Sequence, residues 1–183
     1  GGIRLEAAQT IRLSEKPGEA AQVLHGFFEK QGWLDRPCVI GMRGESLMLR
    51  VIDCESTDRR HIREKVGEQM AHFSTLSSSA TVSESAVTRT RRGETQIVLA
   101  VARMDTVLSR IDRAREAGLQ VVDLIPGPLA LCNAASYLLP WCVGPVVSVD
   151  MGATSTQVAI GQRGALIFSR RFLLGAQHVR ESE

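Results

Sequence analysis

The stretch Val146-Val147-Ser148-Val149-Asp150-Met151-Gly152-Ala153-Thr154-Ser155-Thr156 constrains the fold of this chain more than any other. Valines at 146, 147 and 149 favour a buried strand, because β-branched side chains suit a pleated surface. The strand ends in a carboxylate, which places Asp150 at the mouth of a sheet. Gly152 lets the backbone turn tightly enough for successive N–H groups to converge on one anion, and Thr154, Ser155 and Thr156 add hydroxyl donors. Gln157 to Ile160 and Leu166 to Phe172 then flank a turn at Gly161 to Gly164, so the region reads as a β-hairpin whose first bend spans 150–156.

Asp150 and a phosphate repel one another, but the carboxylate can hold a Mg²⁺ ion through water, and the metal then bridges to phosphate oxygens. The β- and γ-phosphates of a nucleotide require that combination. Asp, Gly and Thr are also ordinary turn formers, so the bend read by itself is equally a plain hairpin turn. No residue stands out as catalytic. Ser148 and Ser182 lack the glycines of a nucleophile elbow, and His25, His61, His72 and His178 fall on helices or near chain and helix ends.

The segment from Leu124 to Val149 carries no charge, yet prolines at 126, 128, 140 and 145 cut it well short of the ~20 apolar residues of a membrane span. It reads as a buried helix followed by a buried strand in a soluble protein. Over 183 residues the chain is 44% hydrophobic and 23% charged, which suits a folded domain and excludes global disorder. Its 22 basic and 20 acidic residues leave no basic face for nucleic acid. Cys38, Cys54, Cys132 and Cys142 lie too far apart for a CxxC pair, which argues against zinc and for buried free thiols in a reducing compartment.

Along the chain, Ala20, Val23, Leu24 and Phe27 mark a helix over 17–31, with Ser14 as its cap and Gly32 as its stop. Strands follow at Cys38 to Gly41 and Ser46 to Asp53. Asp58 or Thr57 caps a helix whose inner face is Ile62, Val66, Met70 and Phe73. Ser74 to Thr90 reads as an exposed loop leading into an edge strand, and Arg89, Arg91, Arg92 and Gly93 as a solvated hairpin turn. Ile97 to Ala102 is apolar throughout and suits a strand buried on both faces. A helix containing Val107, Leu108, Ile111 and Ala114 ends at Gly118; a strand at 119–124 and the apolar helix at 129–138 complete the order. The methionines at 42, 48, 70, 104 and 151 fit core spacing, and Trp33 and Trp141 the rim of the core.

Three segments together resemble a known family. The bend at 150–156 is similar to the second phosphate loop of the actin, Hsp70 and sugar-kinase superfamily. Val98-Leu99-Ala100-Val101-Ala102-Arg103, followed by a helix and Ala117-Gly118-Leu119, is similar to the return from the inserted subdomain of PilM and FtsA. Leu173-Leu174-Gly175-Ala176-Gln177 resembles the family's Gly-Gly step after the phosphate-loop hairpin. The order and spacing resemble PilM-like proteins of type IV pilus assembly most.

The resemblance implies an α/β fold: an incomplete actin-like (ribonuclease H-like) lobe carrying a small FtsA/PilM-type βαββα insert. Residues 1–44 and 116–183 would form the actin-like subdomain and 45–115 the insert. Asp150, Gly152, Ala153, Thr154, Ser155 and Thr156 would bind nucleotide phosphate, with Mg²⁺ held at Asp150 through water only when nucleotide is present. The family's first phosphate loop and adenosine wall have no counterpart in these residues, so ATP and Mg²⁺ are expected in the full-length parent and not in this stretch. Hsp70-like members place an acid where Gly127 stands, and glycine cannot orient a water, so ATPase activity is expected to be weak or absent. The implied function is a cytoplasmic scaffold of type IV pilus or type II secretion assembly, peripheral to the bacterial inner membrane. Its implied partner is the cytoplasmic tail of a bitopic inner-membrane protein, captured between insert and lobe, with self-association allowed. The alternatives are an ATP-dependent enzyme of the sugar-kinase/Hsp70 superfamily and an FtsA-like division polymer.

Overall fold

The computed structural model describes residues 6–11, 16–43, 47–72, 81–91 and 94–180. Cα packing divides the chain into two compact units, 1–40 with 107–123 and 41–106 with 124–183.

The first unit holds α1 (Pro17–Gln31) and most of α3 (Met104–Glu116), with the N-terminal parts of β1 (Pro37–Met42) and β5 (Gln120–Pro126). Helix α1 begins with proline in its first turn behind Lys16; the expected cap, Ser14, lies outside the described residues. It stops at Gly32, whose φ of 67° is a left-handed conformation that glycine adopts without a Cβ penalty. The amides of Gly32 and Trp33 turn back onto the carbonyls of Glu29 and Phe28, satisfying the helix end. Trp33 stacks edge-on against Phe27, so it does pack a core rim. The turn 117–119 closes against the same residues: the Gly118 carbonyl accepts the Asp35 amide at 2.8 Å, and Ala117 is fully buried.

The second unit is built in layers. Strands β2 (Leu47–Cys54), β4 (Glu94–Arg103) and β3 (Thr81–Arg91) form an antiparallel sheet in the order β2-β4-β3. Ile97, Leu99 and Val101 of β4 point to one face, where Ile52, Cys54 and the inner face of α2 (Arg59–Ala71) cover them. Ile62, Val66 and Met70 supply that inner face as the spacing predicts, and Asp58 caps α2 by accepting the Arg60 amide; Phe73 lies outside the described residues. Val98 points to the opposite face and packs with Cys132, Ala159 and Leu166. The apolar run of β4 is therefore buried on both sides because two layers use it.

The third layer is α4 (Gly127–Leu138) with the antiparallel sheet β6-β7-β8 (Val146–Met151, Thr156–Gln162, Ala165–Phe172). The hairpin β7–β8 turns at Arg163 and Gly164, both at positive φ, a pairing whose twist matches that of the strands. The short helix α5 (Ala176–Arg180) follows.

The structure differs from the sequence reading in four places. Edge strand β3 already begins at Thr81, because alternating Thr, Val and Ser pair along the whole of β4; 74–80, the remainder of the expected loop, lies outside the described residues, as do 92 and 93 of the expected arginine turn. Strand β6 is not buried throughout. Its alternate residues Val147, Val149 and Met151 are exposed, because only one face of the β6-β7-β8 sheet carries α4. Helix α4 buries Pro128 and Cys132 and leaves Tyr137 and Leu138 exposed, with Trp141 beyond it 73% exposed, and Met104 is also outside the core. Finally, the compact units do not follow the expected boundaries at 45 and 115. The element order β2-α2-β3-β4-α3 is that of the expected insert, but Leu49, Val51 and Val98 share a core with Cys132, Ala159 and Leu166, and residues 107–116 of α3 fall in the compact unit that holds α1.

Candidate functional site

Strand β6 carries Asp150 to the end of its sheet, and the chain then turns through Gly152 to Ser155 into β7. The Gly152 amide donates to the Ser155 carbonyl at 2.9 Å and closes the turn. The carbonyls of Gly152 and Ala153 point the other way and accept the Ala176 and Gln177 amides at 2.9 and 3.0 Å. They cap the first turn of α5. The Thr156 hydroxyl donates to the Leu174 carbonyl at 2.6 Å, fixing the segment that leads into that helix. Gly175 permits this fit: a Cβ there would stand 2.4 Å from the Ala153 oxygen and 2.6 Å from the Gly152 oxygen. The resemblance singled out 173–177; its physical role here is to clamp the bend.

The six sequence-predicted residues therefore divide into three sets. Gly152 and Thr156 spend their donors inside the protein. Ala153 and Thr154 are exposed, Ser155 is half-buried, and among the described residues their amides meet no protein acceptor. These three amides, with the Thr154 and Ser155 hydroxyls, are the donors left for an outside anion, a set of the chemical kind that suits a phosphate group.

Asp150 is differently engaged. Its half-buried carboxylate accepts from the Arg43 guanidinium at 2.7 Å. It stands across from Gln157, which is itself opposite Arg171, so the three share one face. Gln157 is held there by donating to the Ser169 hydroxyl and the Arg170 carbonyl. A magnesium shell needs carboxylate lone pairs that face water, and here the Arg43 guanidinium occupies one of the two oxygens, Oδ2. Among the described residues no three His, Cys, Asp or Glu side chains cluster as metal ligands. The donor set fits a phosphate and does not fit a metal ion at Asp150 while Arg43 is in place.

Gly127 begins α4 beside this pair. A Cβ on it would lie 3.2 Å from the Arg43 Cγ and 3.3 Å from the Met42 carbonyl oxygen, so the missing side chain makes room for the arginine stem. No acid is present there to position a water. The sequence reading missed Arg43, which follows β1 and meets Asp150 only through tertiary packing.

A cavity of about 430 Å³ opens next to Arg43. Leu47 and Leu49 of β2 line one side; Ser169 and Arg170 of β8 line the other, with Met42 and Pro128 among the remaining walls. Strands β2 and β8 are sheet edges among the described residues, and they lie alongside each other in the same compact unit. The free thiols lie away from this cavity. Cys54 and Cys132 are buried, Cys38 and Cys142 half-buried, and burial pushes the Cys132 and Cys38 thiols above their ordinary value.

No family profile matches the sequence, and no curated protein matches it. Among solved structures, a chain of a PilM–PilN type IV pilus biogenesis complex superposes with a TM-score of 0.74 at 20% identity, over 93% of this chain and 52% of that one. The chain thus spans about half the length of that neighbour and shares its fold. A Bacteroides thetaiotaomicron protein with an actin-like ATPase fold and unknown function gives a TM-score of 0.45 at 10% identity, covering 88% of this chain and 58% of its own. An Aquifex aeolicus PPX-GPPA enzyme matches 44% of this chain and 27% of its own at 23% identity, with a TM-score of 0.33. The expected α/β fold with a PilM-type order of elements is the fold found, shared with the chain of the PilM–PilN complex. No helix among the described residues is long and apolar enough to cross a membrane.

Proposed function

We propose that this chain is a lobe of an actin-like scaffold of type IV pilus or type II secretion assembly. Its cavity between β2 and β8 receives the extended cytoplasmic tail of a bitopic inner-membrane protein. The observation that carries this reading is the cavity itself, set between two edge strands of different sheets. An edge strand presents a row of unpaired N–H and C=O groups, which an extended peptide can meet, while Leu47, Leu49, Met42 and Pro128 offer apolar pockets for its alternate side chains. The fold shared with a chain of the PilM–PilN complex supports the same assignment. Attachment through such a tail would hold the protein at the cytoplasmic face of the inner membrane.

In the full-length protein the free amides of Ala153, Thr154 and Ser155 would bind the phosphates of ATP, which supplies binding energy for closing the two halves of a cleft. Gly127 offers no acid to orient water, so hydrolysis would be slow or absent. The isolated chain, with only part of the donors, should bind ATP weakly, because the remaining contacts must still offset ~4–15 kcal/mol of association entropy.

The test is a pull-down of the full-length protein with the cytoplasmic tails of neighbouring pilus and secretion membrane proteins. A tail should bind, and Leu49→Asp should weaken it at least about tenfold by placing an unpaired charge in an apolar pocket. If no tail binds, with or without nucleotide, the scaffold reading fails and the superfamily kinase reading replaces it.

A further inference from the structure

We infer that Arg43 takes the place beside Asp150 that a divalent cation would need, so that guanidinium and metal compete for the one carboxylate. Three observations carry this. The Arg43–Asp150 pair is close, at 2.7 Å, and the carboxylate is only 26% exposed, so a cation has few directions of approach. Gly127 gives the arginine stem its room, since a Cβ at that position would crowd Arg43 Cγ at 3.2 Å. Arg170 and Arg171 line the same cavity as Arg43 and add positive charge that further disfavours a cation.

Arg43 itself is 66% exposed, so it can swing into water. Metal binding at Asp150 is therefore a competition, and the corner keeps a fixed positive charge of its own when no metal is present. The inference concerns the phosphate-loop corner and stands whether or not a peptide enters the cavity.

Manganese broadening of amide resonances in the ¹⁵N-labelled chain tests this directly, because Mn²⁺ stands in for Mg²⁺ and reports position. In the wild type, Met151 and Gly152 should broaden no more readily than exposed amides elsewhere. In Arg43→Met they should broaden selectively at an at least about tenfold lower Mn²⁺ concentration, since removal of an exposed ion pair and of a neighbouring like charge together amount to about one decade. Adding Asp150→Asn to that variant should abolish the selectivity. Equal broadening in wild type and Arg43→Met overturns the inference, and so does the absence of selective broadening in both. Should Arg43→Met fail to fold, Gly127→Ala takes its place, with an at least about threefold gain expected and an unchanged affinity refuting the proposal.

Discussion

Gly175→Ala is the perturbation that most sharply tests how the bend at 152–156 is held. A Cβ at 175 would stand 2.4 Å from the Ala153 oxygen, 2.5 Å from its carbonyl carbon and 2.6 Å from the Gly152 oxygen, all of them backbone atoms that cannot rotate away. Either the bend or the segment 174–177 must move. Movement breaks the Ala176–Gly152 and Gln177–Ala153 bonds, at 2.9 and 3.0 Å, and the Thr156–Leu174 bond at 2.6 Å. At ~0.5–1.5 kcal/mol each, their loss amounts to about 1.5–4.5 kcal/mol. Because α5 has only five residues, the loss falls on local opening rather than on the global transition. Amide exchange is the assay: Ala176 and Gln177 should lose protection by a factor of roughly ten to a thousand, at ~1.4 kcal/mol per decade. The core amides of β4 should change little. Unchanged protection at 176 and 177 would show that the clamp is not closed in solution.

Other positions yield further expectations. Gly161→Ala places a Cβ 2.8 Å from the Cys132 Sγ and should cost about 1–3 kcal/mol by urea denaturation, with most of that recovered in the double variant with Cys132→Ala. Leu99→Ala, at a side chain only 1% exposed between β2, β4 and α2, should cost ~2–5 kcal/mol and leave α5 exchange unaltered. Thiol labelling at neutral pH should reach Cys38 and Cys142 well before Cys54 and Cys132; equal rates would contradict their burial. The hydrogen bond from Arg103 holds the Asp105 carboxyl below its ordinary value, despite some opposing desolvation. Its stabilisation is present above the unfolded carboxylate range and fades as pH falls through the lower folded value. The small stability difference between wild type and Asp105→Asn should therefore shrink below about pH 4, and a difference constant with pH would refute it.

Local signals in the sequence carried much of the fold. Asp58 before a 3.6-residue apolar period, Gly32 after one, and Ile97 to Ala102 without a polar break each correspond to one physical requirement, and each is met where expected. The outer face of β6 was not legible. Val147, Val149 and Met151 are as apolar as their inward neighbours, and the sequence alone does not say which side of a strand a helix will cover. The compact units depend on contacts of the same long-range kind. Leu49 and Val51 of β2 pack against the core of Cys132 and Leu166, far away in sequence. At the site, the bend itself was legible, since Asp, Gly and hydroxyl residues are needed within a few positions of each other. Arg43 was not, because nothing local distinguishes an arginine after a strand that meets a distant carboxylate from one that meets water. The cavity has no sequence signal at all; it arises from two edge strands brought alongside each other.

The central claim is that an extended peptide from an inner-membrane assembly protein lies between β2 and β8. Chemical-shift mapping of unlabelled partner tails onto the ¹⁵N-labelled full-length protein tests it most directly. The account predicts saturable shifts concentrated at Met42, Leu47, Leu49, Ser169 and Arg170, persisting in high salt because the contacts are backbone hydrogen bonds and apolar pockets. Shifts centred elsewhere, on the exposed face of β6 or around Trp141 for instance, would contradict it.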